Sequence, residues 1–383
     1  MRSQPVIAGV IAALVGFSSS FTIVLAGLHA AGADDRHAAS GLLMLSVAMG
    51  VVGMWASWRT KMPISAAWST PGAALLVSQG AVHGGYTAAL GAFALAGCLA
   101  VLAGIWRPLG RWIAAIPAPL ASALLAGVLL PVCLSPAKAV VQKPALMLPV
   151  VIVWLVLSRV ARRWAVPGSM VAAVIAVAIG RSTATPFTPS WPRLTFDLPA
   201  LDARTLIGVG IPLFIVTMAS QNITGMAVLK SFGFDPPLRP LLVSTGAATA
   251  LGAPFGVHGV NLAAITAAMM AGPDAHPLPE RRWIAGAASG ATYVVFGLFA
   301  GLATAVVATA PPILVSGVAG LALLGALGGA LSGATADPSH RDAAVVTLVV
   351  SASGISVFGV SGPIWGLAAG LIVHGASRWR AAA

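Results

Sequence analysis

Long apolar blocks follow one another from Val6 to Val373, separated by short polar interruptions. A block of about 20 apolar residues is long enough to cross a bilayer as a helix. The pattern predicts spans near 5–30, 39–57, 63–78, 86–106, 115–135, 145–160, 166–181, 206–229, 239–253, 257–272, 283–309, 311–335, 343–360 and 362–377, fourteen in all. Two of them, 63–78 and 257–272, are short for a crossing and are broken by proline or glycine. Each reads as half extended and half helical. The expected fold class is an all-α polytopic membrane protein. The longest polar interval, Arg181 to Thr205, is loop-sized, so no soluble domain is expected.

Composition agrees with a chain solvated mostly by lipid. Apolar residues make up 58% and charged residues 8%, against about 25% charged in a soluble domain. The net charge of +12 would suggest nucleic acid in a soluble protein. Here the basic residues sit at span ends, where they meet anionic headgroups, so no nucleic-acid partner is expected. With the N-terminus inside, Arg2, Arg59, Lys61, Arg107, Arg111, Arg159, Arg162, Arg163, Lys230, Arg239, Arg281, Arg282, Arg341, Arg378 and Arg380 fall on the cytoplasmic side. Arg36, Lys138, Lys143, Arg181, Arg193 and Arg204 fall outside, a split of 15 to 6. The positive-inside rule then predicts an even span number with both termini cytoplasmic. The first apolar stretch, Val6 to Ala31, is long for the core of a cleaved signal peptide and reads as an uncleaved first span. Cys98 and Cys133 lie inside apolar runs without metal-ligand spacing, and no cofactor is expected.

The first seven spans resemble the last seven at an offset near 190–200 residues. Pro117 aligns with Pro311, Leu120 with Leu314, Ser122 with Ser316, and Ala73-Ala74-Leu75 with Ala263-Ala264-Ile265. Seven is odd, so the second repeat (206–383) would enter the membrane from the side opposite to the first (1–181). Such inverted repeats are common in secondary transporters, and the short broken segments are then the pointer to the transport site.

The first broken segment reads Pro63-Ile64-Ser65-Ala66-Ala67-Trp68-Ser69-Thr70-Pro71-Gly72-Ala73. Pro71 favours extended structure before it and a helix start at it, with Ser69 or Thr70 as the cap. The second reads Pro254-Phe255-Gly256-Val257-His258-Gly259-Val260-Asn261-Leu262, with Asn261 as the expected cap of an apolar helix. Two half-helix N-termini facing each other would hold an anion without any Lys or Arg. All nine Asp and Glu lie in loops or at span ends, which argues against a cation held by an acid and removes the usual carboxylate proton relay. His258 is the His placed deep in a broken segment and is the expected proton carrier. The first and eighth spans add Phe17-Ser18-Ser19-Ser20-Phe21 and Ser220-Gln221-Asn222 at matching places. Polar groups there are costly unless satisfied, so a substrate-facing role is expected of Ser19, Gln221 and Asn222. Phe17, Phe21 and Trp68 would contact an aromatic ring. The expected carboxylate site is Ser69, Thr70 and Gly72 on one side and Asn261, Leu262 and Ala263 on the other.

These strings, above all Ala67-Trp68-Ser69-Thr70-Pro71-Gly72 and Met218-Ala219-Ser220-Gln221-Asn222, resemble the benzoate/proton symporter family over essentially the whole chain. Val257 departs from that pattern, where a glycine is expected. The family looks like a distant relative of the uracil/xanthine permeases. The resemblance implies a core domain (5–106 and 206–309), a gate domain (115–181 and 311–377), a homodimer through the gate and elevator-like movement in a bacterial inner membrane. The glutamates of nucleobase permeases fall here at Gln221 and near Val260, which fits a change to an anionic substrate. The implied activity is proton-coupled uptake of benzoate or a similar aromatic carboxylate. The alternative on the same fold is a nucleobase or small-anion carrier. A membrane enzyme would want a clustered acid, His or metal constellation, and the sequence offers none.

Overall fold

The computed structural model describes residues 3–180, 191–357 and 360–382. Arg2 and Arg181 of the charge count lie outside the described residues, as do the side chains of Arg107, Arg163, Arg378 and Arg380. The first half runs α1 (Gln4–Ala30), α2 (Asp35–Thr60), β1 (Ala66–Trp68), α3 (Thr70–Gln79), α4 (Gly85–Ile105), α5 (Arg107–Ala114), α6 (Ala118–Cys133), α7 (Ser135–Gln142), α8 (Pro144–Val160) and α9 (Ala165–Gly180). The second half begins with α10 (Ala203–Thr205), α11 (Ile211–Thr217), α12 (Ile223–Ser231) and α13 (Leu238–Gly252), then β2 (Val260–Leu262) and α14 (Ile265–Ala271). It ends with α15 (Trp283–Leu298), α16 (Ala300–Ala308), α17 (Pro312–Thr335), α18 (Arg341–Ala352), β3 (Ser356–Val357), β4 (Val360–Ser361) and α19 (Gly362–Ala382).

Six helical runs among the described residues are long and apolar enough to cross a membrane: α1, α2, α4, α6 with α7, the run from Ala203 to Ser231, and α17. Helices α15 and α16, bent by 55° at their junction, make a seventh if taken as one crossing. Ile152, Leu155 and Val156 on α8, with Val171, Val174, Ile175 and Ile179 on α9, are all exposed. So broad an apolar surface is a liability in water and the normal exterior in lipid.

Outside the two broken segments, two features differ from the sequence expectation. The span expected over 343–360 stops as a helix at Ala352, because Gly354 takes a left-handed conformation (φ 70°) and a short β3–β4 hairpin follows. The eighth span carries π-helical stretches at Leu206–Gly210 and Met218–Asn222. Period-3.6 reasoning has no means of anticipating an inserted residue of this kind, which recurs at functional sites.

Glycine permits close helix crossings. A Cβ on Gly97 of α4 would lie 2.5 Å from the Ala250 backbone nitrogen of α13 and 2.8 Å from the Gly246 carbonyl. A Cβ on Gly50 of α2 would lie 2.5 Å from the Gly290 carbonyl of α15, and one on Gly290 would meet the Gly50 carbonyl in return. Backbones come this close only where no side chain intervenes. Elsewhere α6 packs against α17, α8 against α9, and α18 against α19. The contacts of α1 with α17 and of α3 with α6 join these six helices, the outer set, to α1–α4 and α10–α16, the inner set.

Candidate functional site

The two broken segments meet as a two-stranded antiparallel ribbon. Ala66 pairs with Leu262, Ala67 with Asn261, and Trp68 with Val260. The Ser69 amide donates to the Gly259 carbonyl (2.9 Å) and the Ala263 amide to the Ser65 carbonyl (2.9 Å), closing the ribbon at both ends. A two-stranded piece has two outer edges that need partners in a dry interior. On β2 these are side chains. The Val260 amide donates to Thr249 Oγ1 (2.8 Å) and the Leu262 amide to Asn222 Oδ1 (3.0 Å). Asn222 reaches β2 from the second π-helical stretch.

Helix α3 leaves the ribbon at Ser69, which is the cap: its hydroxyl accepts from the Gly72 amide (3.1 Å) and lies 2.7 Å from Thr217 Oγ1 of α11. The second half-helix starts later than expected. Asn261 is inside β2, and α14 begins at Ile265 after Ala264, with no side-chain cap. Asn261 therefore does not cap, because the strand pairing with Ala67 holds its backbone extended. Both side-chain polar atoms of Asn261 lack a hydrogen-bond partner although the residue is 0% exposed. A buried, unmatched amide costs about 1–3 kcal/mol per group. Asn261 pays that cost at the middle of the ribbon.

His258 is likewise fully buried. Its Nε2 lies 3.0 Å from the Ser69 carbonyl, which can only accept, so Nε2 carries the hydrogen. Nδ1 is buried without a partner. Ala96, Phe214, Thr217, Asn222, Thr249 and His258 border a void of about 20 Å³. That is room for a water molecule, not for an aromatic ring.

Side chains alternate along a strand, so Trp68 points away from the face shared by Ala67 and Asn261. Its indole Nε1–H donates to Ser20 Oγ (2.8 Å). The Phe17 ring stands 5.5 Å from Phe21, 5.2 Å from Trp68 and 5.1 Å from Phe296, between centroids. The aromatic group expected from the sequence therefore forms, joined by Phe296, which the sequence reading missed. Beyond Phe21 an apolar cleft of about 60 Å³ runs between α1, α16, α9 and α17, lined by Met170, Val174, Val307 and Leu314 among others. Trp68→Phe should cost about 1 kcal/mol and lower the thermal midpoint by a few degrees, because Ser20 keeps its bond to the Gly16 carbonyl (3.0 Å). A melting curve in detergent checks this.

The remaining expected residues are distributed less uniformly. Ser19 is half-buried, and its hydroxyl bonds back to the Gly16 carbonyl (2.9 Å) of its own helix. Gln221 is half-buried in the π-helical turn and Thr70 half-buried at the start of α3. The amides of Gly72, Leu262 and Ala263 have protein partners, as described above. An anion at this site would meet Thr70, Asn261 and the uncapped first turn of α14 before it met those three. Among the described residues no cluster of His, Cys, Asp or Glu could hold a metal ion.

Comparison with known proteins bears on the whole chain. The family model described as benzoate membrane transport protein matches residues 1–376. Inner membrane protein YdcO of Escherichia coli is 39% identical over 373 residues, covering 96% of this chain and 94% of the relative. The benzoate membrane transport protein of Acinetobacter baylyi is 30% identical over 376 residues, covering 96% and 93%. Among solved structures, the transmembrane domain of the cyanobacterial bicarbonate transporter BicA matches with TM-score 0.61 at 15% identity, covering 97% of this chain and 98% of that one. SLC26A9 matches with TM-score 0.65 at 13% identity, covering 97% of this chain and 65% of that one. At such identities the structural matches speak to the fold alone. The sequence matches make the protein a multi-pass transporter of the bacterial inner membrane and not an enzyme. The chain belongs to the benzoate membrane transport protein family.

Proposed function

We propose that the protein imports benzoate or a similar aromatic carboxylate together with a proton. The observation that carries this reading is Asn261, an amide fully buried at the centre of the ribbon with neither polar atom matched. A binding site is where an uncompensated polar group is tolerated, because the ligand supplies the missing partner. The Asn261 amide donates to the carboxylate, helped by Thr70 and the N-terminal end of α3. Helix α14 has only seven residues, so its dipole contributes less. Phe17 and Phe21 contact the ring, Trp68 backs Phe17 from the other face of the ribbon, and Gln221 lies at the edge. His258 holds Ser69 through Nε2 and takes the proton at its unmatched Nδ1. Symport of a proton with the anion makes the cycle electroneutral.

The same reading includes fourteen membrane segments in two inverted sets of seven, with both termini cytoplasmic. Several pairings support the inversion. Gly50 on Gly290 and Gly246 on Gly97 are corresponding crossings at the repeat offset. Gly27 packs on Ala73, and Gly225 on Leu262 and Ala263, in the same relation. Pro117 and Pro311 precede α6 and α17 with nearly equal backbone angles (φ −57°, ψ 132° and φ −56°, ψ 136°). The inner set is the core and the outer set the gate, which also forms a homodimer. The core slides along the apolar cleft beyond Phe21, an elevator movement that widens the small void beside His258. Benzoate titrated into the purified protein, with the titration repeated for His258→Ala and Gln221→Ala, tests the site. We expect saturable binding, weakened about tenfold or more in both variants. Normal binding by both would put the site elsewhere.

A further inference from the structure

Residues 191–202 join the two halves of the chain and lie as an extended strap across one face of the helices. The Thr195 amide donates to Ser40 Oγ of α2 (3.0 Å), and the Ala200 amide donates to the Thr87 carbonyl of α4 (2.9 Å). The Asp197 amide donates to the Pro254 carbonyl (3.0 Å), and the Phe196 and Phe255 rings meet edge to face at 5.4 Å. Ser40 Oγ also lies 3.3 Å from the Phe255 carbonyl. The strap therefore grips the turn Pro254–Gly256 that leads into His258. That turn has little freedom elsewhere: Gly256 is left-handed (φ 96°), and a Cβ there would lie 2.7 Å from the Tyr86 hydroxyl.

His37 stands at the centre of this arrangement. Its Nδ1 lies 2.7 Å from Asp34 Oδ1, which caps α2 and also accepts from the His37 amide (2.8 Å). Its Nε2 lies 3.1 Å from Asp197 Oδ2 on the strap. That oxygen is buried and makes no aligned hydrogen bond, so His37 is the polar group standing closest to satisfying it. A neutral imidazole has one N–H and one lone pair. With a carboxylate at each ring nitrogen, the neutral ring would aim its lone pair at one of them. The geometry is satisfied only when one further proton is held among the three groups.

We propose that His37, between Asp34 and Asp197, is a proton-binding latch that fastens the strap to α2 and so holds the turn before His258. Proton bound, the imidazolium attracts both carboxylates. Proton lost, the Nε2 lone pair and Asp197 repel, and the strap loosens. The attraction to both carboxylates exists only with the proton bound, so latching is favoured at low pH and lost as pH rises. Other groups near His37 do not reverse this sign. The Tyr86 ring meets it edge-on at 5.1 Å, and Arg36 is its sequence neighbour. Asp35 is engaged by His29 (3.1 Å), and Asp202, at the strap's far end, by His83 (3.4 Å). Burial raises the Asp34 carboxyl, but hydrogen bonds from the His37 amide and ring outweigh it and hold the group below its ordinary value of 3.8. Asp34 thus stays ionised across the range in which histidine titrates. The positive-inside rule assigns this face to the outside, the acidic side for a proton-driven importer. The latch rests on the transport reading for that orientation only.

Hydrogen–deuterium exchange on the full protein in detergent, corrected for intrinsic rates, tests the latch at about pH 5.5 and about pH 8. We expect strap amides, including Thr195, Asp197 and Ala200, to exchange roughly tenfold faster at the higher pH. His37→Gln should abolish the pH step. Asp197→Asn should keep the strap protected at both pH values, because an amide accommodates a neutral imidazole. A wild-type strap with the same protection at both pH values, or a pH step retained by His37→Gln, overturns the latch. Benzoate plays no part in this readout, so absence of benzoate uptake would sink the transport reading and leave the latch standing.

Discussion

Asn261→Leu should abolish benzoate binding while making the empty protein more stable. The leucine keeps the branched shape and removes two buried polar atoms that have no partner in the fold. Each unmatched group costs about 1–3 kcal/mol, so the thermal midpoint of the ligand-free variant should rise by several degrees. The wild type regains the cost on binding: ligand at about 100 times its dissociation constant adds about 2.7 kcal/mol of stability. The variant should show no such shift with benzoate. Melting curves with and without ligand check both halves. A variant that melts lower than the wild type would mean that the amide has a structural partner, and the site argument would lose its main support. Asn222→Leu is the contrasting case. Asn222 already accepts from the Leu262 amide, so its loss should destabilise by about 1–3 kcal/mol.

Gly97→Leu and Gly290→Leu should each leave little folded protein. A Cβ at Gly97 meets backbone atoms of α13, and one at Gly290 meets the Gly50 carbonyl and Met54 on α2. Backbone cannot swing aside as a side-chain tip can, so the helices must separate. Overpacking costs about 1–3 kcal/mol where neighbours adjust and more where they cannot. The measurement is the monodisperse fraction after detergent extraction. The control is Gly328→Leu on α17, where a Cβ meets nothing within 4 Å, and which should behave as wild type. If the inverted-repeat reading is right, Gly50→Leu and Gly246→Leu fail to the same degree as their partners.

Much of this architecture is legible in the sequence, for a physical reason. In lipid, backbone groups must be satisfied within a segment, so apolar block length fixes the elements. The helices α1, α4, α8 and α13 begin and end within a few residues of the expected intervals. Pro71 and Ser69 announced the start of α3, and Ser69 is its cap. The second half-helix was less legible, because Asn261 is a good cap by residue type. What overrides the type is pairing across 194 residues with Ala67, and a local reading has no access to it. The same pairing takes up the amide of Ala263, and the Asn222 side chain takes up that of Leu262, both offered to an anion on sequence grounds. The π-helical turn that turns Asn222 toward β2 leaves no local mark either. The His37 contacts join residues from α2 and from the strap between the halves. The sequence showed them as ordinary loop charges because nothing local brings Asp197 to His37.

Purified protein in liposomes should accumulate labelled benzoate when the outside is made acidic relative to the lumen, with saturation and with competition from other aromatic carboxylates. Collapsing the proton gradient with an ionophore should reduce the flux to slow equilibration. Uptake indifferent to the proton gradient would contradict the symport mechanism. Absence of benzoate uptake under any gradient would contradict the assignment of the substrate.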